Sequence, residues 1–218
     1  MQLNPIYYNE QHIAFADNVR RFVQKEMTPF VNEWDEAETF PRELYKKAAE
    51  IGLLGLGFSE EYGGIPDADP FYSLLAGIEM AKAGSGGVHI SLMVYTIGAP
   101  PIQHFGSEEL KARVLPGIIS GEKISVLAIT EPGGGSDVAA LQTKAVRDGD
   151  YYIVSGEKTF ITSGIRADYY TVAVRTDPTK TGAEGISMLL IDAHSEGITK
   201  TPLKKMGWWA SDTAHLHF

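Results

Sequence analysis

The chain has 218 residues, an ordinary hydrophobic content of 44% and a formal net charge of −9, and it has no cysteine. The acidic balance and the lack of a Lys/Arg cluster argue against nucleic-acid binding, and no apolar run approaches the length of a membrane span. Without cysteine there are no disulfide bonds and no thiolate metal sites, which suits a cytoplasmic protein, and residues 1–5 resemble neither a signal peptide nor an arginine-rich transit peptide.

Apolar residues in the first half of the sequence recur at the spacing of amphipathic helices. Pro41 can occupy the first turn of one helix and Gly52 its end, while Ser107 can cap a last helix that Pro116 bends or ends. Residues 100–101, both proline, mark a break before that last helix. The apolar positions that define the helical faces are Phe15, Val19, Phe22 and Val23, then Leu44, Ala48 and Ile51, then Leu74, Leu75, Ile78 and Ala81.

The period of the apolar residues changes after Gly121, where strand-like runs begin. Asp148-Gly149 separates two such runs and is a strong signal for a β-hairpin. The boundary between the helical and the strand-rich part therefore lies near residues 120–124. We predict an α+β protein with an all-helical domain over residues 1–122 and a second, β domain over residues 123–218.

A glycine-rich loop at residues 130–137, with the sequence TEPGGGSD, follows a short predicted strand at residues 126–129. Glycine lets the backbone turn sharply and lets a ligand approach main-chain N–H groups. The loop lacks the Gly-Lys-Ser/Thr ending of a P-loop, and residues 138–139 stand where the dinucleotide fingerprint would need its third glycine. By themselves these residues are compatible with an ordinary turn and with a loop that binds a flat, polar ligand.

Residues 128–137 (AITEPGGGSD) contain a small residue, an aliphatic residue, Thr-Glu-Pro, two variable residues and Gly-Ser-Asp. Residues 158–164 (KTFITSG) follow, and then residues 205–208 (KMGW) with 211–213 (SDT). In this order and at this spacing, the three segments resemble the two flavin-binding segments and the third landmark of the acyl-CoA dehydrogenases. The resemblance extends over essentially the whole chain.

The resemblance implies the architecture of that family, which is an N-terminal helical domain, a middle β-barrel-like domain and a C-terminal four-helix bundle. The chain matches the first domain and most of the second, so we expect the bundle to be missing from it. Family members are usually homotetramers, and the resemblance implies the same for the full-length protein.

The resemblance also implies FAD as the cofactor. Thr130 would hydrogen-bond the pyrimidine side of the flavin ring, and Thr162 would place its hydroxyl and N–H near flavin N5 and O4, where donors stabilise the charge that reduction creates. Phe160 replaces the tryptophan that is commonest in the family, which keeps a ring but removes the indole donor. The implied cofactor-binding residues are Leu127, Ala128, Ile129, Thr130, Gly135, Ser136, Phe160, Ile161 and Thr162.

Substrate contacts are implied for Ser136, between flavin and the pantetheine arm, and for a helix matching residues 89–97 with the turn after it. The Lys204-Lys205 pair is a candidate patch for the CoA phosphates. The family's catalytic base is a glutamate of the C-terminal bundle, so we expect it beyond residue 218 and expect Glu131 to be structural. The residues implied to wall the acyl cavity are Met93, Ile97, Gly98 and Ile102.

We therefore predict an FAD-dependent acyl-CoA dehydrogenase of fatty acid metabolism, which converts an acyl-CoA to a trans-2-enoyl-CoA and passes electrons to an electron-transfer flavoprotein. One alternative is an acyl-CoA oxidase, which returns the electrons to O₂. Another is a non-catalytic module that binds flavin or CoA and lacks the glutamate.

His215 and His217 would share one face of a predicted strand, a spacing that suits metal ligands. We expect no carboxylate and no further histidine in register beside them, and therefore no metal site.

Overall fold

The computed structural model describes residues 6–218, so the start of the chain, where no targeting signal is predicted, lies outside the described residues. Contacts between Cα atoms group the chain into two compact units that interleave along the sequence. The prediction of separate domains over residues 1–122 and 123–218 stays a prediction. Of the described residues, one unit contains those up to Met93 with Ser107–Lys123 and Lys205–Ser211, and the other contains Val94–Gly106, Ile124–Lys204 and Asp212–Phe218.

The described residues before Ser125 form helices and short turns, as the sequence predicts. The first unit contains all of these helices except the two at Tyr95–Gly98 and Pro100–Phe105. No helix within residues 6–218 has both the length and the apolar character that a membrane crossing requires. The helices are α1 Glu10–Phe22, α2 Val31–Glu36, α3 Glu43–Glu50, α4 Pro70–Ala81, α5 Gly86–Leu92, α6 Tyr95–Gly98, α7 Pro100–Phe105 and α8 Glu108–Ile119, with a π-helical turn at Val23–Met27 after α1 and 3₁₀ turns at Leu53–Gly55 and Glu60–Tyr62.

Polar side chains begin several of these helices and connect two of them. Ser107 accepts a hydrogen bond from the Leu110 amide, which confirms it as the cap of α8. The buried carboxylate of Glu79 on α4 accepts hydrogen bonds from Arg20 on α1 and from Lys82. This ion pair satisfies a charge that burial would otherwise destabilise, and it joins α1 to α4.

Some details of the helices differ from the sequence expectations. Leu74 is 49% exposed, so the apolar stripe of α4 is narrower than expected, and its buried neighbour Leu75 carries the inward face. Pro116 does not end α8, which continues to Ile119. The helix expected over residues 89–97 is two short helices, α5 and α6, because the backbone leaves the helical region at Met93, with φ −91° and ψ 2°.

The second unit carries eight strands in two sheets, which bears out the expected α+β architecture. The strands are β1 Ser125–Ala128, β2 Lys144–Asp148, β3 Tyr151–Ser155, β4 Glu157–Thr162, β5 Tyr169–Arg175, β6 Ile186–Asp192, β7 Thr199–Pro202 and β8 Thr213–His217. In the larger sheet β5 is central: it pairs parallel with β1, antiparallel with β6 and, through Lys144 and Arg175, parallel with β2. The smaller sheet is antiparallel in the order β4-β8-β7.

The predicted hairpin is confirmed: β2 and β3 pair antiparallel and Asp148 lies opposite Tyr151. Gly149 begins the connecting turn with φ 59°, a left-handed conformation that glycine adopts without steric cost. The core of this unit lies along β5, where Tyr170, Val172 and Val174 are fully buried.

Candidate functional site

The glycine-rich loop begins where β1 leaves the sheet. Glu131 and Gly134 exchange backbone hydrogen bonds of 3.1 Å in both directions, which closes a tight turn with Pro132 and Gly133 at its tip. A Cβ added at Gly133 or Gly134 would meet nothing within 4 Å, so this side of the loop is open. The loop and the residues after it surround a cavity of about 320 Å³, lined by Ile129, Thr130, Glu131, Gly133, Gly134, Gly135, Asp137, Val138, Ala140, Leu141 and Gln142.

The second segment forms β4, which is irregular in the middle. Lys158 pairs with Leu216 and Ile161 pairs with Ala214, so the register shifts between them, as in a β-bulge. Phe160, within the bulge, has φ 59° and is 70% exposed. The bulge therefore turns this aromatic ring away from the core and towards solvent.

A direct backbone contact joins the two segments. The amide of Thr159 on β4 donates to the carbonyl oxygen of Thr130 at 2.8 Å. The hydroxyls of Thr130 and Thr162 have no hydrogen-bond partner among residues 6–218. The glycine-rich loop and β4, which are separated in sequence, are therefore in direct contact. Both carry a threonine hydroxyl that is available for a ligand.

A buried ion pair lies beneath this junction. The ammonium of Lys158 has no exposed surface, and it donates to Glu131 Oε1 and to the carbonyl oxygen of Ile129, each at 2.9 Å. The Glu131 carboxylate also accepts from the amides of Gln142 at 2.6 Å and Thr143 at 2.8 Å. The Glu131 carboxylate thus bonds the side chain of Lys158 and two backbone amides of the same protein, which agrees with the structural role expected for it.

Burial and hydrogen bonding act in opposite directions on this pair. Burial would raise the pKa of Glu131, but hydrogen bonds from Thr143, Gln142 and Lys158 outweigh it and lower the pKa to about 2. Burial lowers the pKa of Lys158, and the ion pair with Glu131 opposes this change. We did not expect Lys158 to have this role, although it lies in the segment that resembles the family's second landmark.

The cofactor residues implied by the resemblance fall into three groups according to their exposure. Ala128 and Ile161 have buried side chains, so only their main chain could touch a ligand. Gly135, Ser136 and Phe160 are exposed. The remaining four, Leu127, Ile129, Thr130 and Thr162, are partly exposed.

The residues implied to wall an acyl cavity are less uniform. Ile97 is 50% exposed, whereas Gly98 is buried. A Cβ at Gly98 would lie 2.7 Å from the carbonyl oxygen of Ser125, and the Gly98 carbonyl accepts from the Thr171 hydroxyl at 2.6 Å. Gly98 therefore has a packing role, in which it lets α6 approach β1 closely. The assignments of Met93 and Ile97 stay predictions.

Asp212, in the third landmark, fixes the turn that follows β4. Its carboxylate accepts from the amides of Ile165 at 2.9 Å and Arg166 at 3.0 Å and pairs with the Arg166 side chain. Its carbonyl oxygen accepts from the Ser163 amide at 2.6 Å. The residue directly after Thr162 is therefore anchored.

Lys205, the other charged residue of that landmark, is engaged within its own loop. Its ammonium donates to the carbonyl oxygen of Trp208 at 2.7 Å and to that of Ser211. These contacts argue against Lys205 as a ligand for CoA phosphates.

The expectation that no carboxylate lies beside the two histidines of β8 is wrong. Glu157 on β4 lies opposite His217, and its carboxylate is 3.5 Å from both His215 Nε2 and His217 Nδ1. The sequence did not reveal this because the pairing of β4 with β8 joins residues far apart in the chain. Within residues 6–218, no group of His, Asp and Glu side chains has an arrangement that could hold a metal ion.

Comparisons with known proteins cover both units. Residues 9–122 match the family model of the acyl-CoA dehydrogenase N-terminal domain and residues 126–218 match that of the middle domain. The chain is 37% identical over 214 residues to the mitochondrial isobutyryl-CoA dehydrogenase of Dictyostelium discoideum, covering 96% of this chain and 50% of that protein. It thus spans about half the length of the curated relatives it matches.

Two solved structures give the same result. A probable acyl-CoA dehydrogenase from Mycobacterium abscessus superposes with a TM-score of 0.92 at 44% identity, over 97% of this chain and 56% of that one. An acyl-CoA dehydrogenase complexed with FAD from Bacillus anthracis superposes with a TM-score of 0.87 at 32% identity, over 99% and 37% of the two chains. The chain belongs to the acyl-CoA dehydrogenase family.

Proposed function

We propose that the full-length protein is an FAD-dependent acyl-CoA dehydrogenase, which oxidises an acyl-CoA thioester to the trans-2-enoyl-CoA and passes the electrons to an electron-transfer flavoprotein. Membership of the family supports this proposal, as does the FAD complex formed by the Bacillus anthracis relative. Homotetramer formation by the full-length protein is part of the same proposal and rests on the family resemblance.

The observation that carries the proposal is the junction of the two sequence landmarks. The bond from the Thr159 amide to the Thr130 carbonyl brings together a turn that is open at Gly133 and Gly134, two hydroxyls without a hydrogen-bond partner among residues 6–218, and an exposed aromatic ring. A planar ring with hydrogen-bonding edges uses these groups together: Phe160 covers it and the hydroxyls of Thr130 and Thr162 bond its edges. The residues present therefore fit a flavin.

Bound FAD supplies a hydride acceptor for the β-hydrogen of the substrate. On this proposal Thr162 donates a hydrogen bond where negative charge develops on reduction, and Thr130 orients the opposite edge. Ser136 lies in the exposed part of the loop and contacts the pantetheine arm. The α-proton goes to a glutamate outside residues 1–218, as the resemblance implies.

The proposal is tested on the purified full-length protein. We expect a yellow protein whose visible flavin absorbance bleaches when an acyl-CoA is added without oxygen. A colourless protein that cannot be reconstituted with FAD would refute the proposal. Rapid return of the absorbance in air would favour the oxidase alternative, and flavin binding without bleaching by any acyl-CoA would favour the non-catalytic module.

A further inference from the structure

We propose that the Lys158–Glu131 ion pair is a positioning clamp, which holds Thr130 where its hydroxyl can bond a flavin ring. This inference rests on the proposed function and adds two positioning residues to it. Neither side chain needs to touch the flavin, because both act through the main chain of the loop.

The clamp fixes two consecutive carbonyl groups. Beyond Ala128 the chain leaves the sheet, so the carbonyls of Ile129 and Thr130 are no longer part of the strand ladder. The Lys158 ammonium donates to the first at 2.9 Å and the Thr159 amide donates to the second at 2.8 Å. Two neighbouring residues of β4 thereby determine the course of the backbone on both sides of the Thr130 side chain.

Glu131 connects the loop next to Thr130 to a third segment, the one that contains Gln142 and Thr143. Its carboxylate accepts from the amides of Gln142 and Thr143, which lead into β2, and from the Lys158 ammonium. The residue directly after Thr130 is thus held from two directions. Gln142 also lines the cavity beside the loop, so the carboxylate fixes both walls of that cavity relative to each other.

The contribution of this ion pair to the stability of the fold does not by itself explain why charged residues occupy these two positions. Two well-packed apolar side chains often replace a buried ion pair with no loss of stability, whereas removing one partner strongly destabilises the fold because it leaves an unpaired buried charge. An apolar pair cannot donate to the Ile129 carbonyl or accept from the two amides. We therefore expect that replacing the ion pair by an apolar pair would change the conformation of the loop more than the stability of the fold.

The test replaces both charges in the full-length protein. Lys158→Met keeps most of the length of the unbranched side chain and removes its charge, and Glu131→Gln keeps one acceptor. The combined variant therefore leaves no unpaired buried charge and is expected to fold. Glu131→Gln alone retains an acceptor for one of the two amides but leaves the buried Lys158 ammonium without its carboxylate, so we expect it to be less stable than the combined variant. The measurements are the dissociation constant of FAD for each apoprotein, the flavin midpoint potential and the melting temperature of the apoprotein.

We expect the combined variant to bind FAD at least tenfold more weakly than wild type, with a more negative midpoint potential. Thr130→Val should weaken FAD binding several-fold in the wild-type background. If the clamp acts through Thr130, adding Thr130→Val to the combined variant should have little further effect, because coupled residues do not contribute additively.

A matched control is the Arg20–Glu79 pair, which joins α1 to α4 in the other unit. Arg20→Met with Glu79→Gln should change stability without changing FAD affinity or potential. An FAD affinity within twofold of wild type in the clamp variant would overturn the inference, as would an equal effect of Thr130→Val in both backgrounds or no effect of Thr130→Val at all. Failure of the wild-type protein to bind FAD would instead refute the proposed function.

Discussion

The hydroxyls of Thr162 and Thr171 differ in whether they form a hydrogen bond within the fold. Thr171 on β5 is buried and donates to the Gly98 carbonyl at 2.6 Å. Thr162 on β4 is partly exposed and its hydroxyl finds no partner within residues 6–218. A threonine without a structural hydrogen bond is available for a ligand, whereas one with such a bond is needed by the fold.

Exchange of each threonine for valine tests this difference in the full-length protein. Thr162→Val keeps the β-branched shape that strands favour, so we expect little change in melting temperature but a more negative flavin potential and slower flavin reduction by substrate. Thr171→Val should do the reverse and destabilise the fold by about 1–3 kcal/mol, because it leaves a buried carbonyl unsatisfied. An unchanged potential and a lower melting temperature for Thr162→Val would remove Thr162 from the site.

The lowered pKa of Glu131 implies that the free energy of unfolding depends on pH in a specific way. Its folded pKa of about 2 lies below the ordinary glutamate pKa of 4.5, so its contribution to stability is complete above pH 4.5 and is lost as the pH falls towards 2. The size of the contribution is about 3 kcal/mol. Urea unfolding of wild type and Glu131→Gln between pH 6 and pH 3 measures it. The difference in unfolding free energy should shrink as the pH falls, and a constant difference would contradict the ionised, hydrogen-bonded carboxylate.

At the scale of elements, the close approach of α6 to β1 depends on a missing side chain. A Cβ at Gly98 would lie 2.7 Å from the Ser125 carbonyl oxygen, and backbone atoms cannot move aside as a flexible side chain can. We expect Gly98→Ala to destabilise the protein by about 1–3 kcal/mol. Thermal or urea unfolding measures this change.

Gly77, inside α4, is the matched control. A Cβ there would meet nothing within 4 Å, so Gly77→Ala should stabilise the helix by about 0.5–1 kcal/mol. If Gly98→Ala also stabilised the protein, α6 would have to lie further from β1 than the structure indicates.

The sequence predicted features that depend on neighbours in the chain. Ser107 caps α8 and Asp148-Gly149 forms the hairpin because their bonds join residues a few positions apart. The sequence did not reveal that Lys158 forms a buried ion pair, since a lysine in a strand is normally exposed and its partner Glu131 is 27 positions away. Glu157 beside the histidines was missed for the same reason, because only the pairing of β4 with β8 brings them together.

At the scale of the whole molecule, the compact units do not coincide with single stretches of sequence. Lys205–Ser211 belongs with the first unit, where Ser211 Oγ lies 3.0 Å from Ser91 Oγ and the Ala210 amide donates to Asp35 at 3.0 Å. A polypeptide of residues 1–122 lacks these contacts. The helical part therefore depends on residues that follow the strands in sequence.

We expect α5 to be less protected in the polypeptide 1–122 than in the polypeptide 1–218. Amide hydrogen exchange of both polypeptides measures the difference, and faster exchange around Ser91 is the expected result. Ser91→Ala in the longer polypeptide removes only the hydroxyl contact and should produce a smaller increase in exchange. Equal protection of α5 in both would mean that the predicted domain over residues 1–122 is complete by itself.

The irregular β4 has a consequence for the entropy of ligand binding. Phe160 and Ser163 both have left-handed backbones, with φ of 59° and 57°, and the segment between them is held by the pairing of Ile161 with Ala214 and of Thr162 with Thr213. Fixing one residue's backbone costs about 1–2 kcal/mol of conformational entropy. Because folding already fixes this segment, a ligand that bonds Thr162 has little more to order there. This part of the site is preorganised, and its backbone should be nearly the same before and after a ligand binds.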